Sequence, residues 1–295
     1  MVGYYLFKGL EWLLFLLPHS WRHALFIGVA DAAYLLDAKH RRVIRQNLAF
    51  AFDEELPEAR ITAISKGCYR NLALNMLQVM ENTHMDKEQI DAAVEFHNKI
   101  YYDQAKASGR GVIFVTAHYG NWELEGAVIS YRVTAASSVY KAFKNRYFDR
   151  YLLHSRERFG MQLFEKRGAI RHLNNAVKNA QSISLMIDQN VKEKDGVVVK
   201  FFGKEVRQTP APAFLARKYN ALIIPLLIHP NDEGGYIISF YEPIEVAQSE
   251  DAQADVLEAT QKQALWLENE IRRSPEHWFW CHRRWKAEYP HIYKT

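Results

Sequence analysis

The sequence predicts an α/β fold. Short β-branched runs alternate with stretches of helical periodicity through the middle of the chain, and a Gly-Gly turn joins two of the strand-like runs. At 295 residues, 48% of them hydrophobic, the chain can bury a large core. Charged residues at 24%, close to the globular average, exclude general disorder. With Cys68 and Cys281 as the only cysteines, neither a disulfide framework nor a cysteine-based zinc site is available. The net charge, 38 − 34 = +4, suits anionic membrane surfaces or phosphorylated ligands and is too small to imply nucleic acid. An aromatic share of 13% fits a lipid–water boundary, where amphipathic rings sit well.

Taken in order, the amino terminus is the most apolar part. A run to Leu17, interrupted by Lys8 and Glu11, stops at Pro18, and a second, Ala24–Leu36, carries Asp31. Neither is a clean stretch of about 20 apolar residues. A membrane anchor or interfacial helical hairpin is expected here, with a pair of buried helices as the plain alternative. The basic run Lys39-His40-Arg41-Arg42 with Arg45 favours the membrane, on its cytoplasmic side. From Pro57 to Glu81, apolar residues three or four apart mark an amphipathic helix that needs no catalytic role. Lys99–Ser108 is helical, Gly111–Thr116 a buried strand, and Trp122–Tyr131, Arg146–Phe159 and Ala169–Ala180 are helices. Strands follow at Ile183–Ile187 and Val197–Phe202, then a helix from Thr209-Pro210 to Tyr219. Ala221–His229 and Tyr236–Tyr241 are strands joined by a turn at Glu233-Gly234-Gly235, and Asp251–Arg273 is helical. Without internal repeats or a long linker, one α/β domain with an N-terminal helical appendage is the simplest partition.

The strongest chemical signal is Thr116-Ala117-His118-Tyr119-Gly120-Asn121-Trp122-Glu123, at the carboxyl end of a strand and the start of a helix, where α/β sheets present ligands. Asn121 is a good N-cap and places Glu123 in the first helical turn. Five residues apart on a continuous helix, His118 and Glu123 would diverge. With His118 in the preceding loop and Gly120 permitting a sharp turn, the two can converge. A neutral imidazole can then take a proton from a hydroxyl while a carboxylate on its other nitrogen fixes the tautomer. A structural histidine at a strand end is the plain alternative. No G-x-S-x-G elbow occurs and neither cysteine is near, so the nucleophile belongs to the substrate: an acceptor hydroxyl attacking an activated acyl group.

His118-Tyr119-Gly120-Asn121-Trp122-Glu123 resembles the H-x4-E signature of the bacterial lipid A biosynthesis acyltransferases, the late (secondary) lauroyl/myristoyl transferases, distant relatives of the glycerolipid acyltransferases. Further blocks match in order: Tyr140-Lys141, Arg156-Glu157-Arg158-Phe159-Gly160, Asp188-Gln189-Asn190, Val199-Lys200-Phe201-Phe202-Gly203 and Trp278-Phe279-Trp280-Cys281-His282-Arg283-Arg284-Trp285-Lys286. The resemblance implies a glycerolipid-acyltransferase-like α/β sandwich with a mixed sheet and an N-terminal apolar helical membrane anchor. Residues 1–45 would form the membrane-associating segment and 46–295 the acyltransferase domain. It implies His118 as general base with Glu123 as its partner, and basic residues after Val139, among them Lys141, Arg156 and Arg158, that hold the anionic acceptor or donor. From their own positions, Asn121 beside the base is expected to meet substrate, and Asp188, ending a strand, either orients a ligand or caps the next loop. The donor would be acyl carrier protein and the acceptor a phosphorylated, Kdo-bearing lipid A precursor at the cytoplasmic face of the inner membrane, with an anionic membrane surface as a further partner. No cofactor, metal or nucleic acid is expected.

One departure matters: Lys141-Ala142 stands where the family usually has Arg-Pro. Lysine cannot make arginine's bidentate fork, so phosphate recognition there is weaker or shifts to Lys144, Arg146 or Arg156. Another lipid acceptor, such as a glycosylated phosphoinositide or an ornithine lipid, therefore stays open, as does a thioesterase-like or non-catalytic relative. The basic run Lys141–Arg158 reads either as a solvated helix face or as a phosphate-binding rim. Phe201 and Phe202 read as acyl-groove lining or core. The Trp/Arg-rich ending reads as a membrane-facing or packed segment, and a metal at His277 and His282 is not expected.

Overall fold

Why the N-terminal helices hold together is visible from Glu11. The computed structural model describes residues 2–294, beginning with α1 (Val2–Phe15) and α2 (His19–Leu36), which meet at a turn containing Pro18. In α1 the buried residue is Glu11, 2% exposed, which accepts hydrogen bonds from the Tyr151 hydroxyl at 2.5 Å and pairs with Lys8 and the His84 ring. Tyr4 and Phe7 pack beside it against Phe148 and Tyr151. The helix docks through this polar and aromatic side, so Leu6, Leu10, Trp12 and Leu13 face outward, as do Trp21, Leu25 and Val29 of α2. Among the described residues no helix is long and apolar enough to cross a membrane, and the expected anchor is not supported as a spanning segment. At 14 residues α1 reaches about 21 Å, short of the ~30 Å hydrocarbon layer. Polar His19, Arg22, His23 and Asp31 interrupt α2.

Helix α3 (Ala38–Ala51) contains residue 45, where the N-terminal segment was expected to end, and buries Val43, Ile44, Leu48 and Ala51. Its Asn47 donates to the carbonyls of Trp280 and His282 at 2.7 and 2.8 Å, tying the start of the chain to its end. The periodicity after Pro57 becomes α4 (Glu58–Glu81). The rest of the chain runs α5 (Lys87–Ala93), β1 (Val94–His97), α6 (Ile100–Ala107), β2 (Val112–Thr116), α7 (Trp122–Val128), β3 (Ala136–Tyr140), α8 (Arg146–Glu157), β4 (Gln162–Glu165), α9 (Ala169–Lys178), β5 (Ser182–Met186), β6 (Val197–Phe201), β7 (Lys204–Gln208), α10 (Ala211–Tyr219), β8 (Leu222–Pro230), β9 (Tyr236–Phe240) and α11 (Ala252–Arg273).

Seven strands form one mixed sheet in the order β1-β9-β8-β2-β5-β3-β4. Strands β8, β2, β5, β3 and β4 are parallel; β9 returns antiparallel to β8 through the expected Gly-Gly turn, and β1 lies parallel to β9. Alternation along β2 explains the layers. Ile113 and Val115 enter the core shared with α3, α4, α10 and α11, whereas Val112 and Phe114 enter a second core under α5, α6 and α7. A sheet with both faces covered is the α/β sandwich the sequence predicts. The separate hairpin β6–β7 packs with α11 and the C-terminal segment. There Phe201, Phe202, Trp278, Trp280 and Trp285 interlock with almost no exposure, so the paired phenylalanines are core and the tryptophan-rich ending is a packed segment.

Candidate active site

Three neighbouring parallel strands, β2, β5 and β3, end on one edge of the sheet, and the chain beyond each carries His118, Asp188 and Lys141 respectively. This is the edge at which α/β folds gather ligands. After β2 the chain turns sharply at Gly120, whose φ is +55°, into α7. A Cβ at Gly120 would lie 2.0 Å from the Ile228 carbonyl oxygen, an overlap that backbone atoms cannot relieve. Gly120→Ala is therefore expected to destabilise the protein by ~3 kcal/mol or more, readable as a shift of the urea midpoint. Asn121 is 3% exposed and caps α7 by accepting from the Leu124 amide at 3.2 Å.

The imidazole partner is Asp188. Its Oδ1 lies 2.9 Å from His118 Nδ1, while its Oδ2 accepts from the His118 backbone amide at 2.9 Å and from the Trp278 indole at 3.0 Å. Three donors on a buried carboxylate fix both its position and its charge. Burial alone would raise the Asp188 pKa, but the His118 ring and these hydrogen bonds overcome it and hold the carboxyl at about 2. For His118, burial pulls the pKa down, while Asp188 and, through space, Glu123 push it up further, for a net rise. With Nδ1–H held by Asp188, Nε2 is the basic nitrogen. It faces the side-chain amide of the exposed Gln189 at 3.3 Å, which leaves it reachable once that amide swings aside. Trp122 and Phe279 wall the ring at centroid distances of 5.3 and 6.0 Å.

Glu123 occupies a different place from the one expected. Rather than contacting His118, it makes a bidentate pair with Arg156, Nε to Oε2 at 2.9 Å and NH2 to Oε1 at 2.6 Å, and accepts from the Trp122 indole at 3.2 Å. The first turn of α7 aims this carboxylate at α8, and Asp188, arriving from β5, takes the ring. Arg156 and Arg158, expected to meet substrate, both bond to protein groups here, Arg156 to Glu123 and the exposed Arg158 to the carbonyls of Asn82 and Thr83 just past α4. Asn121 likewise donates to Gln78 at 2.8 Å. Lys141 remains exposed just past β3.

The residues missed are the ones that hold the loop. Asn75 on α4 donates to the Gly120 carbonyl at 2.8 Å, and Asn82, which caps the end of that helix, donates to the Glu123 carbonyl at 3.1 Å. Buried amides one and two turns apart on an otherwise apolar face were the available signal for this polar seam. Arg284 is fully buried and donates to the carbonyls of Gln189 and Arg207 at 2.9 and 2.7 Å, clamping the loop after β5. The C-terminal segment also supplies backbone bonds: Phe279 N–H to His118 O and Gly120 N–H to His277 O, both 3.0 Å. Beyond Asp188 the chain runs into a cleft of about 460 Å³ lined by Lys39, His40, Asn190, His282, Arg283 and Lys286, without a carboxylate.

Residues 1–287 match the family model described as bacterial lipid A biosynthesis acyltransferase. The chain belongs to that family. Among similar proteins are the lipid A biosynthesis palmitoleoyltransferase of Escherichia coli (strain K12), 24% identical over 283 residues covering 95% of this chain and 89% of the relative. The lauroyltransferase of the same organism is 21% identical, covering 95% and 90%. A phosphatidylinositol mannoside acyltransferase of Mycolicibacterium smegmatis is 26% identical over 186 residues, 61% of this chain and 59% of its own length. As a member of the lipid A biosynthesis acyltransferase family, the protein is an enzyme that transfers acyl groups.

Proposed function

We propose that this acyltransferase moves a fatty acyl chain from the thioester of acyl carrier protein to a hydroxyl of a Kdo-bearing lipid A precursor, at the cytoplasmic face of the inner membrane. The observation that carries the mechanism is the Asp188–His118 pair, with Nε2 on the side of the exposed Gln189. His118 Nε2 takes the proton of the acceptor hydroxyl as its oxygen attacks the thioester carbonyl. The tetrahedral intermediate then collapses, the C–S bond breaks, and the imidazolium returns its proton to the departing thiolate. Asp188 stabilises the imidazolium between the two transfers. The Glu123–Arg156 pair acts one layer away, fixing α7 to α8, with the Glu123 carboxylate raising the His118 pKa and the Arg156 guanidinium partly offsetting it. Among the described residues the ring of His118 is hydrogen-bonded to Asp188 and Gln189 and to no serine, threonine or cysteine, which favours direct transfer between two bound substrates.

Two features support the choice of substrates. The carboxylate-free basic cleft beside the Asp188 loop suits phosphorylated or acidic partners. The outward leucines and tryptophans of α1 and α2 suit a bilayer surface, with the helices lying in the interface rather than through it. Purified enzyme given one acyl carrier thioester and a panel of acceptors tests the reading. Ester formation on the lipid A precursor is expected, and His118→Ala is expected to lower it by about 10²- to 10⁴-fold. Preference for a mannosylated phosphoinositide would move the acceptor toward the mycobacterial relative. Equal fatty acid release with and without acceptor would make the protein a thioesterase.

A further inference from the structure

We propose that His19, His23 and Glu81 form a binding site for a divalent transition-metal ion of the zinc type, contrary to the sequence expectation of no metal. Among the described residues these three make the cluster whose ligand atoms all lie within 4.8 Å of one another. His19 and His23 stand one turn apart at the start of α2, with ring centroids 4.2 Å apart. Their Nε2 atoms lie 3.7 Å from Glu81 Oε1 and 3.8 Å from Glu81 Oε2. Two imidazoles and a carboxylate are a ligand set that zinc accepts, with metal–ligand distances near 2.0–2.2 Å and donors therefore about 3.3 Å apart. Closing the cluster to that geometry requires shifts of about 1 Å. The His19 side chain, 64% exposed, is free to make them.

The carboxylate is already oriented. Glu81 is 4% exposed at the end of α4, and Arg22 donates to its Oε1 through Nε and NH2, both at 3.2 Å. Arg22 is itself fixed by the Leu17 carbonyl at 2.8 Å and by the Phe15 ring beneath its guanidinium. Oε2 is left facing His23. A group that holds one carboxylate oxygen while the other meets the metal is the usual outer support of such sites. The nearby guanidinium charge also weakens cation binding, which sets the expected affinity below that of closed structural zinc sites. The exposed side of His19 leaves the fourth position to solvent. The ion would clip the first turn of α2 to the last turn of α4, one residue before Asn82, which holds the Glu123 carbonyl. Loading would thus stiffen the joint between the N-terminal helix pair and the seam supporting the active-site loop.

The test uses full-length, tag-free protein in detergent, stripped with a chelator and titrated with Co²⁺ and then Zn²⁺. One equivalent of Co²⁺ is expected to give the visible absorption of a four-coordinate ion, bleached by stoichiometric Zn²⁺, and Zn²⁺ is expected to raise the melting temperature. His19→Ala and His23→Ala should each weaken binding by at least ~10-fold, since even the loss of outer-shell partners costs 10–100-fold. His19 is exposed, so its variant keeps the test valid should His23→Ala fold poorly. Absence of a stoichiometric cobalt spectrum, or equal affinity in wild type and both variants, would overturn the site. Neither outcome depends on the substrate assigned above.

Discussion

Asp188→Asn is expected to reduce acyl transfer by about 10³- to 10⁴-fold, because an amide cannot hold His118 in the tautomer that leaves Nε2 basic, nor stabilise the imidazolium. The variant also places an NH₂ group among donors that now point at a carboxylate, from His118 N–H and the Trp278 indole, so a lower melting temperature is expected too. The pH–rate profile separates catalysis from folding. Asp188 holds the His118 pKa up against burial, so its removal should move the acid-side limb of activity, where the base becomes protonated, to lower pH. Glu123→Gln, which breaks the Arg156 pair but leaves the ring partner, should cost less. Turnover within a few-fold of wild type for Asp188→Asn, with an unmoved profile, would remove Asp188 from the mechanism. The folded-state pKa of Asp188, about 2 against an ordinary 3.8, also means its share of stability is present above pH 4 and is lost as pH falls toward 2.

The second large effect concerns Glu125, which takes no part in the transfer. It is 3% exposed in α7, accepts from the Thr116 hydroxyl at 2.7 Å through Oε1, and its Oε2 is buried without a partner. Burial raises its pKa to about 8, only partly offset by Thr116 and the Ile228 backbone. The group is thus neutral in the folded enzyme at pH 7 and ionised in the unfolded chain. A folded pKa above the unfolded value stabilises fully below pH ~4.5, and that contribution is lost as pH rises to about 8, by up to ~1.4 kcal/mol per pH unit. Glu125→Gln, which mimics the neutral form, should flatten this slope and leave the variant more stable than wild type at pH 8 in denaturant titrations. Parallel pH–stability curves for the two proteins would show that Glu125 is ionised in place. Its neutrality leaves Asp188 and Glu123 as the carboxylates acting on His118.

Much of this was legible from local pattern. The long buried strands β2, β5 and β8 and the amphipathic helices announced themselves by period, and the turn between β8 and β9 by its glycines. Strands β1, β3, β4 and β7 went unrecognised for physical reasons. Ala136–Tyr140 carries two serines, and Val94–His97 and Gln162–Glu165 are four-residue edge strands without an apolar run. Lys204–Gln208 gains its place by pairing with β6. At the site, His118, Gly120 and Asn121 could be placed because their roles are set within a few residues. The choice between Glu123 and Asp188 as the imidazole's partner could not, since it depends on which strand end lies beside β2, a property of sheet order. The polar seam of α4 was masked by the apolar residues sharing its helix.

The segment after α11 has a consequence for the order in which the enzyme comes into being. Trp278, Phe279 and Arg284 wall and brace a histidine made early, and β8, which flanks β2, is also late in the chain. A ribosome that has finished two-thirds of the polypeptide has made α1, α2, β2 and β5, while β8 on the other side of β2, the Phe279 wall of the ring and the Trp278 and Arg284 braces of the Asp188 loop are still to come. The surroundings of His118 are therefore complete only once the segment after α11 has been added.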